Sequence, residues 1–168
     1  MVCEDCGEAT DWTLDGKCIV GNDIYGRVWL VELASHRKTD LLATNRWLFS
    51  GRFSPDGRWI TFGSYIAPFQ PEAPIAESAW TSLPEAMNWW SPDGTLLYGH
   101  SGRDGFACLW AQRLNPITKH PIGAPFAIFH SHSVQRSVGQ FFVGRDKIVF
   151  NMGERTGNIW MAEWKEGR

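Results

Sequence analysis

No stretch of this 168-residue chain stays apolar long enough to cross a bilayer as a helix, because Gly, Pro or a charge interrupts every hydrophobic run after a few residues. Membrane insertion is therefore not expected. The N-terminus carries Cys3, Glu4 and Asp5 and no basic-then-apolar run, so no leader is read there and both cytoplasm and periplasm stay open. An excess of one charge is also missing: 16 Lys and Arg against 18 Asp and Glu leave a net charge of −2 and a pI near 6.2. Nucleic acid and anionic membrane, which call for clustered Lys and Arg, are not expected partners. There is no sustained helical period of apolar residues. There is no Walker loop or dinucleotide fingerprint, and Gly99-His100-Ser101-Gly102 is not a nucleophile elbow, so no catalytic activity and no cofactor are expected. Cysteine is scarce as well; four residues allow two disulfides or none.

Ten Trp, in contrast, are a strong excess for this length, and together with 43% hydrophobic residues they fit a soluble, many-stranded aromatic core. The organising stretch is Arg52-Phe53-Ser54-Pro55-Asp56-Gly57-Arg58-Trp59-Ile60-Thr61-Phe62, a strand, a tight turn and a second strand. Pro55 presets φ, Asp56 bonds locally through its side chain, and Gly57 accepts a left-handed backbone. The signal returns at Asp15-Gly16, at Pro92-Asp93-Gly94 and, without its Pro and Gly, around Asp146. From Asp15 through Asp56 and Asp93 to Asp146 the spacings are 41, 37 and 53 residues, close to the 40-odd of a four-stranded blade. Trp29, Trp110 and Trp160 mark the third strand of their units, 14 to 17 residues after the turn Asp, and are expected in the core.

This pattern predicts an all-β chain of four-stranded antiparallel blades with approximate bounds 1–44, 45–82, 83–131 and 132–164. In the second unit the expected strands are 47–53, 58–62, 65–69 and 73–80, with Gly63-Ser64 as a two-residue hairpin loop. In the first, 39–43 is expected as the fourth strand. The last unit has strands at 138–143, 147–151 and 158–164 and no fourth, so about three and three-quarter blades are present. The expectation is part of a larger propeller, or a chain that self-associates to complete one, with a closed four-bladed monomer as the alternative.

The repeats resemble the WD40-like units of TolB-type β-propellers, whose blades carry W-S-P-D-G between the first two strands, as in Trp90-Ser91-Pro92-Asp93-Gly94. They are similar in particular to propeller segments that bacterial proteins carry after a serine/threonine kinase or winged-helix domain. The resemblance implies a non-catalytic binding or sensing module, with a protein or small-ligand partner held at the blade-end loops or the central channel. Thr13-Leu14 stands where the family pattern has Ser-Pro, and unit two lacks the third-strand Trp.

Two sets of residues have the chemistry of metal ligands. Cys3 and Cys6 have the spacing of a zinc knuckle, with Cys18 as a third ligand if the first hairpin folds back, but the fourth is missing; a local disulfide or free thiols is the plainer reading. His130 and His132 alternate in an expected strand at 124–130 and its continuation, with Gln135 close behind. Oligogalacturonate lyases, which resemble this repeat family, hold a divalent metal on a propeller with several His and a Gln, so a metal-dependent carbohydrate-active enzyme fragment is the alternative function. Cys108, within a strand, reads as a buried structural thiol, and Arg103-Asp104-Gly105 as a turn.

Overall fold

The computed structural model describes residues 7–44, 46, 48–49, 51–133 and 135–157. Successive antiparallel sheets follow one another along the chain. The first consists of β1 (Glu8–Trp12), β2 (Cys18–Asn22), β3 (Val28–Glu32) and β4 (Lys38–Asp40), paired in chain order. A two-residue strand, β5 (Leu42–Ala43), precedes the second sheet, made of β6 (Arg52–Phe53), β7 (Trp59–Phe62), β8 (Tyr65–Pro68) and β10 (Thr81–Ser82). Between its last two members lie β9 (Ile75–Ala76) and one 3-10 turn at Glu77–Ala79. The third sheet holds β11 (Trp89–Trp90), β12 (Leu96–Ser101), β13 (Cys108–Leu114) and β14 (Pro121–Phe129). A fourth shows β15 (Arg136–Val143) and β16 (Ile148–Glu154); the expected strand 158–164, with Trp160, lies outside the described residues.

The turn joining the first two strands is built the same way in three sheets. Thr13, Ser54 and Ser91 donate their hydroxyls to Asp15, Asp56 and Asp93 at 2.8, 2.6 and 2.6 Å. Each carboxylate also accepts the backbone N–H two residues on, from Lys17, Arg58 and Thr95, at 3.1 Å. Gly16, Gly57 and Gly94 follow with φ of 68°, 68° and 67°, the left-handed conformation that returns the chain into β2, β7 or β12. Lys119 is buried against the third of these turns, its Nζ donating to the Gly94 carbonyl at 2.7 Å.

The sheets pack face to face, and a separate core fills each gap. Val20, Val28, Leu30, Phe53, Ile60 and Phe62 lie between the first and second sheets. Ile66, Met87, Trp90, Leu97 and Leu114 lie between the second and third, and Tyr98, Leu109, Ala111 and Phe141 between the third and fourth. Adjacent residues therefore enter different cores: Leu97 faces back and Tyr98 forward, so strands buried on both faces read as continuous apolar runs. Phe62 and Ile60 are fully buried, each worth about 2 kcal/mol of transfer free energy. Trp29 is buried and sits opposite Gly21; Trp110, partly buried, sits opposite Gly99 in the same register.

Unit two departs from the expected strands. Residues 73–80 do not form its outer strand; Thr81–Ser82 does, and Ile75–Ala76 pairs in parallel with Leu42–Ala43. Pro71 and Pro74 remove backbone donors there, so an extended ladder cannot form before residue 75. For the same reason of partner choice, the strand expected at 39–43 is split: Lys38–Asp40 stays with β3, and Leu42–Ala43 leaves for β9. Gly63-Ser64 forms the tight loop, since Phe62 and Tyr65 are register partners and Gly63 has φ of 52°. Among the described residues no helix is long and apolar enough to cross a membrane.

Candidate functional site

Because each strand pairs with its chain neighbour, the second-to-third strand connections and the sheet-to-sheet connections gather at one end of the sheets. A groove of about 420 Å³ opens there, lined by Phe49, Arg52, Trp89, His100, Phe141 and Phe142 among others. Its walls are aromatic: the Trp89 ring lies 5.7 Å from Phe141 and 5.1 Å from Phe142, and His100 meets Phe141 edge-on at 5.0 Å. Phe49 and Phe142 remain exposed at the rim.

Arg52 supplies the charge. Its guanidinium carbon stands 3.7 Å from the centre of the Trp89 ring, a stacked cation–π contact. Its Nε is buried without a hydrogen-bond partner, and among the described residues no carboxylate lies within ion-pair distance of it. Burial pushes the Arg52 guanidinium below its ordinary pKa, against the pull of Asp11 and Glu8. Burial also lowers the His100 pKa, opposed by a backbone bond at Gly139, which favours a neutral ring.

A second constellation lies at the same end of the third sheet. Asp104 comes from the β12–β13 connection, Cys108 from the first position of β13, and His130 and His132 from the segment just past β14. Their ligand-capable atoms all lie within 4.8 Å of one another. His130 Nδ1 is 2.8 Å from Asp104 Oδ2 and 2.9 Å from His132 Nε2, which in turn is 3.3 Å from the same carboxylate oxygen. The other carboxylate oxygen, Oδ1, accepts the Phe106 N–H at 3.3 Å. Burial pushes the Asp104 carboxyl up, but the Phe106 N–H and the two rings outweigh it and hold it below the usual carboxylate value. Phe106 stacks on His132 at 5.1 Å, and Trp110 meets His130 edge-on at 5.5 Å.

The two imidazoles do not alternate within a strand. Phe129 is the last residue of β14 to pair with β13, and His132 has φ of 34°, so the chain bends after the sheet and swings the two rings onto one carboxylate. Gln135 is exposed, and among the described residues its side-chain amide makes no hydrogen bond with this cluster. Cys18 is a free thiol packed beside the first core, on β2 of a different sheet from the cluster, while Cys3 and Cys6 lie outside the described residues. Asp104 does sit in a turn, with Gly105 at φ of 86°, and Cys108 is buried. Sequence reasoning assigned both to structure alone, and the signal passed over was the short spacing from Asp104 to Cys108 across a strand start.

No family profile and no curated protein matches the chain. A solved structure of TolB from Acinetobacter baumannii matches 90% of it with a TM-score of 0.58 at 13% sequence identity. The fold is a β-propeller. This chain spans 41% of the length of that TolB chain, and its four-stranded sheets correspond to propeller blades. Such a likeness bears on architecture alone.

Proposed function

We propose that this propeller segment is a non-catalytic interaction module that takes an apolar segment bearing a carboxylate into the groove between Arg52, Trp89 and Phe141. The observation that carries the reading is the Arg52 guanidinium held on the Trp89 face within an aromatic groove, its buried Nε without a hydrogen-bond partner. A half-buried cation with Asp11 and Glu8 acting on it only from beyond ion-pair distance is costly, and an incoming carboxylate offsets that cost with charge-assisted hydrogen bonds. The aromatic side chains supply contact area at little entropic cost, as is usual where a few residues dominate binding. The resemblance of the repeats to sensor-type propellers agrees with this role. Among the described residues that line the groove no nucleophile is paired with a base, and none of them favours a carbohydrate-active enzyme.

Selection from a random peptide library on the immobilised chain tests the reading. Enriched peptides should carry Asp, Glu or a C-terminal carboxylate next to an apolar residue. Arg52→Gln should weaken them by roughly 10- to 100-fold, the worth of a hydrogen bond to a charged group. Peptides that bind the Arg52→Gln and Trp89→Ala variants as tightly as the parent would overturn it.

A further inference from the structure

Three polar atoms in the blade-three cluster approach one another so closely that no placement of protons on the two rings gives each of the three contacts a hydrogen of its own. His130 Nδ1, His132 Nε2 and Asp104 Oδ2 form a triangle with sides of 2.8, 2.9 and 3.3 Å. An ionised carboxylate only accepts, and each imidazole nitrogen either donates one hydrogen or accepts one. If both rings donate to Asp104, two N–H groups confront each other at 2.9 Å. If only His130 carries the hydrogen, that one hydrogen is shared between Asp104 and His132, and the lone pairs of His132 Nε2 and Asp104 Oδ2 face each other at 3.3 Å. One cation in the middle removes the conflict, because all three atoms then present lone pairs to it.

We propose that Asp104, Cys108, His130 and His132 form a binding site for a Zn²⁺-class transition-metal ion. A point about 2 Å from all three nitrogen and oxygen donors lies roughly 1 Å off their plane, which suits zinc–nitrogen and zinc–oxygen bonds. The buried Cys108 Sγ, within 4.8 Å of the others, becomes the fourth ligand by moving in at most about 1 Å. Thiolate with two imidazoles selects zinc, cobalt or nickel over Mg²⁺ and Ca²⁺, which take oxygen ligands. The supports are those of a metal centre: the Phe106 N–H fixes the Asp104 carboxylate through its other oxygen, and Phe106 and Trp110 wall the two rings. Four protein ligands make the site closed and structural, with no open position for a substrate. It ties the β12–β13 connection and the start of β13 to the crossover that leaves β14 for the fourth blade. This site is independent of the groove, and either assignment can fail alone.

The test uses the full chain with Cys3→Ser, Cys6→Ser and Cys18→Ser, so that Cys108 is the one thiol left. Titration with Co²⁺ should saturate at one ion per chain, with intense visible bands of a four-coordinate ion and a near-ultraviolet thiolate-to-cobalt band, and Zn²⁺ should displace it. Cys108→Ser should abolish the thiolate band. Asp104→Asn, His130→Ala and His132→Ala should each weaken binding by more than the roughly 10- to 100-fold that loss of a supporting residue costs. Circular dichroism of the metal-free variants separates lost ligands from lost fold, and Mg²⁺ should not compete. Failure of the folded parent to take up Co²⁺ or Zn²⁺ overturns the proposal. So does uptake whose spectrum survives Cys108→Ser, or whose affinity survives His130→Ala.

Discussion

A methyl group placed on Gly99 probes how closely the chain entering β11 lies on β12. The added Cβ would stand 2.6 Å from the Ala86 carbonyl oxygen, 2.8 Å from Met87 Cγ and 3.0 Å from Met87 Cα. Two of those three atoms are backbone, so no rotamer change relieves the clash, and Met87 is itself fully buried. Either β12 or residues 86–87 must shift, which places the cost near the top of the overpacking range, about 3 kcal/mol. For a chain of this size that lowers the melting temperature by roughly 6–12 °C. Gly57→Ala is the matched control: its new Cβ meets nothing closer than Leu14 Cβ at 3.5 Å, but φ is 68°. Only the left-handed backbone is penalised there, at about 1 kcal/mol. Thermal and urea denaturation followed by circular dichroism should therefore rank Gly99→Ala well below Gly57→Ala. The opposite order, or a Gly99→Ala shift under about 2 °C, would refute the packing argument.

The Asp56 carboxyl is held at about 2, below its ordinary 3.8, because its bonds from Ser54 and Arg58 outweigh the upward push of burial. Its stabilising contribution is thus present above the unfolded value and lost as pH falls through the folded one. Discounted for solvent screening, since its side chain is 36% exposed, that contribution is about 1 kcal/mol. The stability gap between parent and Asp56→Asn should therefore close between about pH 4 and pH 2, and a gap unchanged over that range counts against it. Exposed apolar side chains lie on the first sheet and its turns at Trp12, Leu14, Ile24 and Tyr25, and on the fourth at Phe142, Val149 and Met152. We expect concentration-dependent self-association through these ends of the arc; sedimentation velocity that reports one compact monomer at every concentration would contradict it.

What could be read from the residues follows how locally each feature is determined. The Ser54-Pro55-Asp56-Gly57 turn is written in four consecutive residues whose bonds close within five residues, so it announces itself in the first three units. The outer strand of unit two does not, because Leu42 finds its partner at Ile75 and no nearby residue records that choice. Trp29 and Trp110 were legible as a repeated marker, yet the small residue opposite each, Gly21 and Gly99, was not, since cross-strand register depends on turn geometry upstream. The imidazole cluster was half legible. His130 and His132 stood out by their alternation, whereas Asp104 arrives from a connection 26 residues earlier and is brought in by strand pairing alone.

The parallel pair of Leu42–Ala43 with Ile75–Ala76 has a consequence for the order in which the molecule comes apart. The Ile75 N–H also donates to the Leu41 carbonyl at 2.8 Å, so the chain returns to its departure point after running through three strands of the second blade. That blade is held inside a noncovalent loop whose clasp is made with the first. Peeling β6 to β8 away requires the clasp to open, and opening it strips Leu42 and Ile75 from the core the two blades share. The first two blades therefore behave as one cooperative unit in hydrogen exchange, with the Ile75 amide among the slow protons and released in the same event as those of β7.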